Sequence, residues 1–598
     1  MSYRASIARR WIAAGTVAVL AAALFAWAAS KPSATSAPSD PSPLAGFMPP
    51  GAMLYIEAKD FSSLLSEWNA SPEKRQWLTS DNCEAFSRSR LLLRLADARK
   101  EFASAAGVSP DTTLLSQAAG KQSALALYNI GNLEFVYISR VPSAAAMQSA
   151  LWQARTKFES RSAAGAPFFV HTDAASGRVV AFAVTSDYLI LATREDLLAG
   201  TLNLLAGGSG PKLTGEDWYA HAVSSAGAPG DLRMVLNVEK IAADPHFRSY
   251  WIQANAKEMR NFSAAISDLH LSGSTYQEGR VLLPKTDDSA PTTSAPAGAA
   301  DAPPAAASTS AQAVADLLRL VPDDAGVYRA SADPSADASL VALQTKILAP
   351  HTGSAPPSKL APEVNLTAGE VGSSSDLETR IDQPHVPQAN SVDDWSALRA
   401  DLQGANVQAM LSFDSTRVDP NTNFVQINST VVLAAASDWD ATSVNNALSR
   451  GIAQSASTQQ LGTSWKRAGA APNDYFELDG LLPVRVATRG KLLIVSNDAD
   501  SIAAVLARVK SPSSAEPSTF AAGFHHAAEQ PNFLRLVSTL DRANPQGAPD
   551  SPDPGVEPAF FSANIASLSR VLSGLDSGSV VIRESPGKTL ETVIYRWK

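Results

Sequence analysis

One succession of strand-like and helix-like segments runs through this chain twice, which restricts it to folds in which a single module is built two times. The first half opens Phe47-Met48-Pro49-Pro50-Gly51-Ala52-Met53-Leu54-Tyr55 and the second Leu320-Val321-Pro322-Asp323-Asp324-Ala325-Gly326-Val327-Tyr328. Both read apolar-apolar-Pro-x-x-Ala-x-apolar-Tyr, a proline turn feeding a short strand. In the first copy a strand at Leu133–Ser139 leads to a helix over Ser143–Phe158. Strands at Phe168–His171, Arg178–Thr185 and Tyr188–Ala192 follow, then a helix over Arg194–Leu205. The second copy runs Asn428–Ala434, a helix over Asp440–Ala453, strands at Tyr475–Leu478, Pro483–Thr488 and Leu492–Val495, and a helix over Asp498–Val509. Each copy then has an amphipathic segment with aromatics (Trp218-Tyr219; Phe520, Phe524) and a strand (Asp231–Val238; Asn532–Ser538). Each ends in a strand pair: Ala265–Tyr276 with Arg280–Pro284, and Ser579–Arg583 with Leu590–Trp597.

Most of these strands alternate polar and apolar residues and are joined by short turns such as Thr185-Ser186-Asp187 and Thr488-Arg489-Gly490, the pattern of half-buried antiparallel sheet. The helices carry one apolar stripe, Leu197, Leu198, Leu202 and Leu205 in one copy and Ile502, Val505, Leu506 and Val509 in the other. The expected fold is therefore α+β: two repeated modules of mostly antiparallel sheet with helices packed on one face, preceded by one N-terminal transmembrane helix. Trp77–Gly107 reads as one long Leu- and Arg-rich helix found only in the first copy.

The transmembrane expectation rests on Trp11–Ala29, a run without a charge that follows Arg4, Arg9 and Arg10. As a helix it spans roughly 28 Å, enough for a hydrocarbon core, and the arginines orient the rest of the chain outward. Ala26-Trp27-Ala28 also has the small-x-small form of a signal-peptidase site, so secretion after cleavage near Ala28 is the rival outcome. The expected segments are an anchor over 1–29, a Pro/Ser-rich spacer over 30–44, a first module over 45–285, an Ala/Pro/Ser-rich linker over 286–311 and a second module over 312–598. The spacer and linker lack the bulky apolar side chains needed to bury a core. Ala349–Asn390 and Asn544–Pro558 read as long loops.

Composition narrows the partners. A net charge of −9 opposes nucleic acid or anionic lipid as the main binding surface, since either requires a basic face. The single cysteine, Cys83, has no partner for an intramolecular disulfide or a thiolate metal cluster; it reads as a buried, inert thiol near a helix start.

With these residues in view, the anchor, the Pro-x-x-Ala-x-x-Tyr opening and the repeated module resemble a bacterial domain-of-unknown-function family of membrane-anchored, duplicated extracytoplasmic proteins. The resemblance implies location and architecture and carries no functional residues.

Several motifs invite a sharper reading. Ser71-Pro72-Glu73-Lys74 and Ser80-Asp81-Asn82 match two motifs of penicillin-recognising serine enzymes, but they stand too close together, and a Lys-Thr-Gly strand is missing. Ser71 reads instead as a helix cap with Pro72 at the first helical position. His525-His526-Ala527-Ala528-Glu529 lacks the second histidine of a zinc helix and reads as exposed helix histidines. Asp438-x-Asp440 and Asp498-x-Asp500 precede helices and read as caps rather than calcium loops, and Gly207-Gly208-Ser209-Gly210 reads as a turn after a helix. The tryptophans read mainly as helix-to-sheet packing, the alternative being an apolar or glycan groove.

No residue is assigned a catalytic, cofactor-binding or metal role, and no cofactor is expected. The expected function is a non-catalytic scaffold or protein-binding component of the bacterial envelope, not an enzyme, with another envelope protein as partner. The alternatives are a carrier of a hydrophobic ligand such as a lipid, and an envelope hydrolase without a recognisable motif. The expected location is the cytoplasmic membrane, single-pass, with the bulk of the chain periplasmic.

Overall fold

The computed structural model describes residues 43–250, 259–285, 304–348, 395–418, 425–455, 464–479, 484–532 and 572–598. The Trp11–Ala29 run, most of the spacer, the loops expected at Ala349–Asn390 and Asn544–Pro558, and nearly all of the strand expected at Asn532–Ser538 lie outside the described residues. Among the described residues no helix is long and apolar enough to cross a membrane. The fold is α+β, with a large antiparallel sheet and helices. The chain divides into two compact units: Met1–Asp301 with Val418–Val425 and Ala521–Lys598, and Ala302–Arg417 with Gln426–Phe520.

In the first unit, β1 (Leu54–Ala58), β2 (Ser123–Asn129), β3 (Glu134–Arg140), β4 (Glu159–Ala163), β5 (Ala166–Thr172), β6 (Val179–Thr185), β7 (Tyr188–Ala192), β8 (Leu232–Leu236), β9 (Phe262–Ser272) and β10 (Thr275–Pro284) appear in chain order. Their spatial order is β4-β5-β6-β7-β3-β2-β1-β8-β9-β10, every pairing antiparallel. The second unit holds β11 (Val327–Ala332), β12 (Val407–Val418), β13 (Val425–Ala435), β14 (Ser464–Ala468), β15 (Tyr475–Asp479), β16 (Val484–Arg489) and β17 (Leu492–Ser496). Here β14-β15-β16-β17-β13 and β11-β12 are antiparallel runs. The Ser429 hydroxyl donates to Asp414 Oδ1 at 2.7 Å, tying β13 to β12. β18 (Phe520–Phe524) is a strand where an amphipathic segment was expected.

The chain then closes with β19 (Leu575–Ser585) and β20 (Lys588–Trp597). The expectation placed this hairpin in the second module. It pairs instead with the first unit's edge: β20 lies antiparallel to β10 from Thr275↔Arg596 to Leu282↔Thr589. An unpaired β10 would expose a row of backbone donors and acceptors, and the C-terminal hairpin satisfies them. The preceding β9–β10 turn lies at Gly273, φ +59°, and not near Gln277 as the strand boundaries suggested.

Helices cover both sheet faces, which corrects the one-face expectation. In β6, Ala181 and Ala183 join one core with Leu197, Leu198 and Leu202 of the helix Glu195–Leu205. Val180 and Phe182 join another with Phe102, Ala105 and Ala106 of the helix Arg90–Ala106. The second unit repeats the arrangement: Leu493 and Val495 face one core with Val444 and Leu448, while Ile494 faces another with Ile502 and Val505. A strand buried on both faces reads as a nearly continuous apolar run, and Val-Val-Ala-Phe-Ala-Val is one.

Two helices expected to be continuous are broken by serine caps. Trp77–Gly107 forms the tail of Pro72–Leu78, then Asp81–Ser87 and Arg90–Ala106. The Ser80 and Ser89 hydroxyls accept from the Cys83 and Leu92 amides at the two new starts. Ser143–Phe158 splits at Ser149, which caps Ala150–Gln153. In the other direction, the expected linker is ordered at its end: Pro304–Leu318 is a helix whose Ser310 hydroxyl donates to Asp333 at 2.5 Å. Val314 and Leu317, just beyond the linker's limit, supply the apolar face that the Ala/Pro/Ser stretch lacks.

Candidate functional site

Where β1, β2 and β3 run out beside the β6–β7 turn, the first unit carries a trough of about 1250 Å³. Its floor follows from strand alternation. Val136 and Ile138 of β3 enter the core, and Arg140, the next residue on that face, forms part of the floor. Arg140 stands opposite Tyr188 of β7, with its guanidinium carbon 5.5 Å from the ring centroid. Its backbone amide donates to Gln122 O at 2.8 Å, so Gln122 continues the floor. Gly120 makes this closure feasible, because a Cβ there would fall 2.1 Å from the Arg140 carbonyl oxygen. The Gly120 amide donates to Ser139 Oγ at 2.8 Å, and the Ser123 and Ser139 hydroxyls bond each other at 2.7 Å.

Below the floor, Glu57 collects three donors: the Tyr55 hydroxyl at 2.7 Å, the Gln122 side-chain amide at 2.5 Å and the Leu44 amide at 3.1 Å. Burial, followed by the Glu57 charge, holds the Tyr55 hydroxyl far above its ordinary pKa, so Tyr55 stays a donor. At the wall, Ser186 and Asp187 adopt positive φ (+46° and +63°), the tight-hairpin conformation usually given to glycine or asparagine.

The charges lining the trough differ in how far they are engaged. Asp60 caps the helix Phe61–Ala70, accepting from the Ser63 amide at 2.9 Å and the Ser62 hydroxyl at 2.9 Å. Asp187 Oδ1 accepts from the Ser143 amide at 3.1 Å. Arg140 has its Nε buried without a hydrogen-bond acceptor, and among the described residues it forms no ion pair. Lys121 is exposed at the trough's edge. A second, more open hollow of about 570 Å³ shares Ser116 and Gln117 with the first and extends to Lys74 and Asn69.

The residues singled out in the sequence fall mostly into structural roles. Ser71 Oγ accepts from the Lys74 amide at 3.2 Å and donates to Trp68 O at 2.9 Å, with Pro72 opening the helix. Lys74 lines the smaller hollow, its ammonium bonding Asn69 at 2.6 Å and its pKa lowered by burial. Asp440 and Asp498 accept from amides of the helices they precede. Gly207 turns the chain out of a helix at φ +86°. Cys83 is half-buried rather than buried, with burial raising its thiol pKa. His525 and His526 are likewise half-buried, and His526 Nδ1 lies 3.2 Å from Leu575 O. Trp152 packs on Phe169, while Trp439 and Trp465 bond Lys491 O and Ser449 Oγ. Among the described residues no group of three or more His, Cys, Asp or Glu converges to hold a metal ion.

Sequence reading missed Arg140, Lys121 and Gln122. Strand β2, which supplies Gln122, was not recognised, and Arg140 gave one usable signal, a charge ending an apolar strand.

No protein-family model and no curated protein matches the chain. Among solved structures, crystal form I of TP0453 aligns at TM-score 0.22 and 9% identity, covering 41% of this chain and 80% of that one. Crystal form IV aligns at TM-score 0.22 and 12% identity, covering 40% and 79%. A likeness this slight carries no argument about fold or function.

Proposed function

We propose that this chain is a membrane-tethered, extracytoplasmic, non-catalytic binding component of the bacterial envelope, built by duplication of one α+β module. The trough of the first unit carries the binding part of this reading. It is roomy and of mixed lining, its acids accept from helix-start amides, and one guanidinium on its floor lacks an acceptor. The duplication is supported by pairing: β14-β15-β16-β17-β13 follows the order of β4-β5-β6-β7-β3, and β11–β12 follows β1–β2. The tether rests on the charge-free Trp11–Ala29 run behind three arginines.

The test is membrane fractionation with protease accessibility, followed by crosslinked pull-down of the full-length chain from native membranes. The reading expects membrane-bound chain digested only from the outer side, and an envelope partner lost when residues 45–285 are deleted. Soluble cytoplasmic chain would refute the tether, and a partner indifferent to that deletion would refute the role of the first unit.

A further inference from the structure

We propose that the trough of the first unit is an oxyanion site that takes the phosphate of a polar phosphate ester, with Arg140 and Lys121 as its recognition residues. This deepens the binding reading above and rests on it. A guanidinium stacked on Tyr188 is held in place without being neutralised, and its planar fork matches a phosphate edge. Lys121 adds an exposed second charge, and the Gln148 amide and Ser186 hydroxyl, both at the lining, add neutral donors. A volume near 1250 Å³ exceeds what an anion fills, leaving room for the body of the ester. Asp60 and Asp187, whose Oδ1 atoms are engaged by backbone amides, also line the trough.

The second unit supplies an internal comparison. In β3–β7 the register runs Ser139↔Leu189 and Arg140↔Tyr188. In β13–β17 it runs Leu433↔Leu493 and Ala434↔Leu492, followed by the Ala435 amide donating to Lys491 O. The β6–β7 and β16–β17 hairpins turn at Ser186-Asp187 and Gly490-Lys491, so Leu492 matches Tyr188 and Ala434 stands where the first unit has Arg140. Ala434 is buried in one core with Val432 and Ile494. One unit buries an alanine at this position; the other presents a cation to an open trough. The charge is not required by the strand pairing.

Calorimetric titration of the detergent-solubilised full-length chain tests the site with two probes: glycerol 3-phosphate, and dihexanoyl phosphatidylglycerol below its micelle concentration. The site predicts saturable binding of at least one, weakened about tenfold or more by Arg140→Gln and less by Lys121→Gln, and weakened by added salt. Binding of the lipid alone identifies a membrane headgroup as the source, and binding of the glycerol ester identifies a free one. Lys121 is exposed, so Lys121→Gln keeps the test valid if the Arg140 variant misfolds. Absence of binding by both probes, or equal binding by wild type and both variants, would overturn the proposal. A protein partner still captured by an Arg140→Gln chain would leave the envelope-binder reading standing without the anion.

Discussion

Three donors converging on Glu57 illustrate how single residues position the trough. The carboxylate fixes Tyr55, Gln122 and the entering turn at Leu44 together. Glu57→Ala removes the acceptor these donors share in a part-buried setting, and we expect it to cost about 3 kcal/mol against about 1 kcal/mol for Tyr55→Phe, read from urea unfolding of the full chain. Glu101 provides a pH signature. Hydrogen bonding from Arg178 holds its carboxyl below the usual range against some burial, with Arg94 adding a second bond at 2.9 Å. A depressed folded pKa stabilises the fold above the unfolded value, about 4.3, and that stability is lost as pH falls through the folded value. The melting temperature of wild type should therefore exceed that of Glu101→Gln at pH 7, with the gap closing on acidification below about pH 4. Caps such as Ser71 and Asp498 were legible in the sequence because their chemistry is local. Arg140 was not, because its meaning depends on Tyr188 across a strand pair that no local pattern specifies.

Elements were legible where the pattern was strong. Tyr188–Ala192 was located to the residue, and the helices after the hairpins to within about one. β12 was missed although Val407, Ala409, Leu411 and Phe413 alternate inward without a break. β2 had a weaker signal, being buried on both faces for much of its length. Pairing between distant elements had no sequence signal at all. The join of β20 to β10 is the main case, since each hairpin is recognisable but neither announces its neighbour. Thr592 sits in the middle of β20, opposite Gly279 on one side and Val581 on the other. Thr592→Pro removes a ladder donor inside the sheet, so it should lower the melting temperature of the first unit and promote aggregation through an exposed β10 edge, measured by thermal scanning and light scattering.

At the scale of the whole molecule, the two units use one strand order to different ends. The second buries Ala434 at the position where the first presents Arg140 to an open trough. Under the proposed reading, a tether would hold this trough beside a membrane at high effective concentration. The central claim is that this trough is where the chain binds. It is tested most directly by crosslinked pull-down of full-length wild type and Arg140→Gln from native membranes, with mass spectrometry of the captured proteins and lipids. The account predicts an envelope ligand recovered with wild type and strongly depleted with the variant at equal protein yield. Equal recovery from the two would show that the chain binds elsewhere and would contradict it.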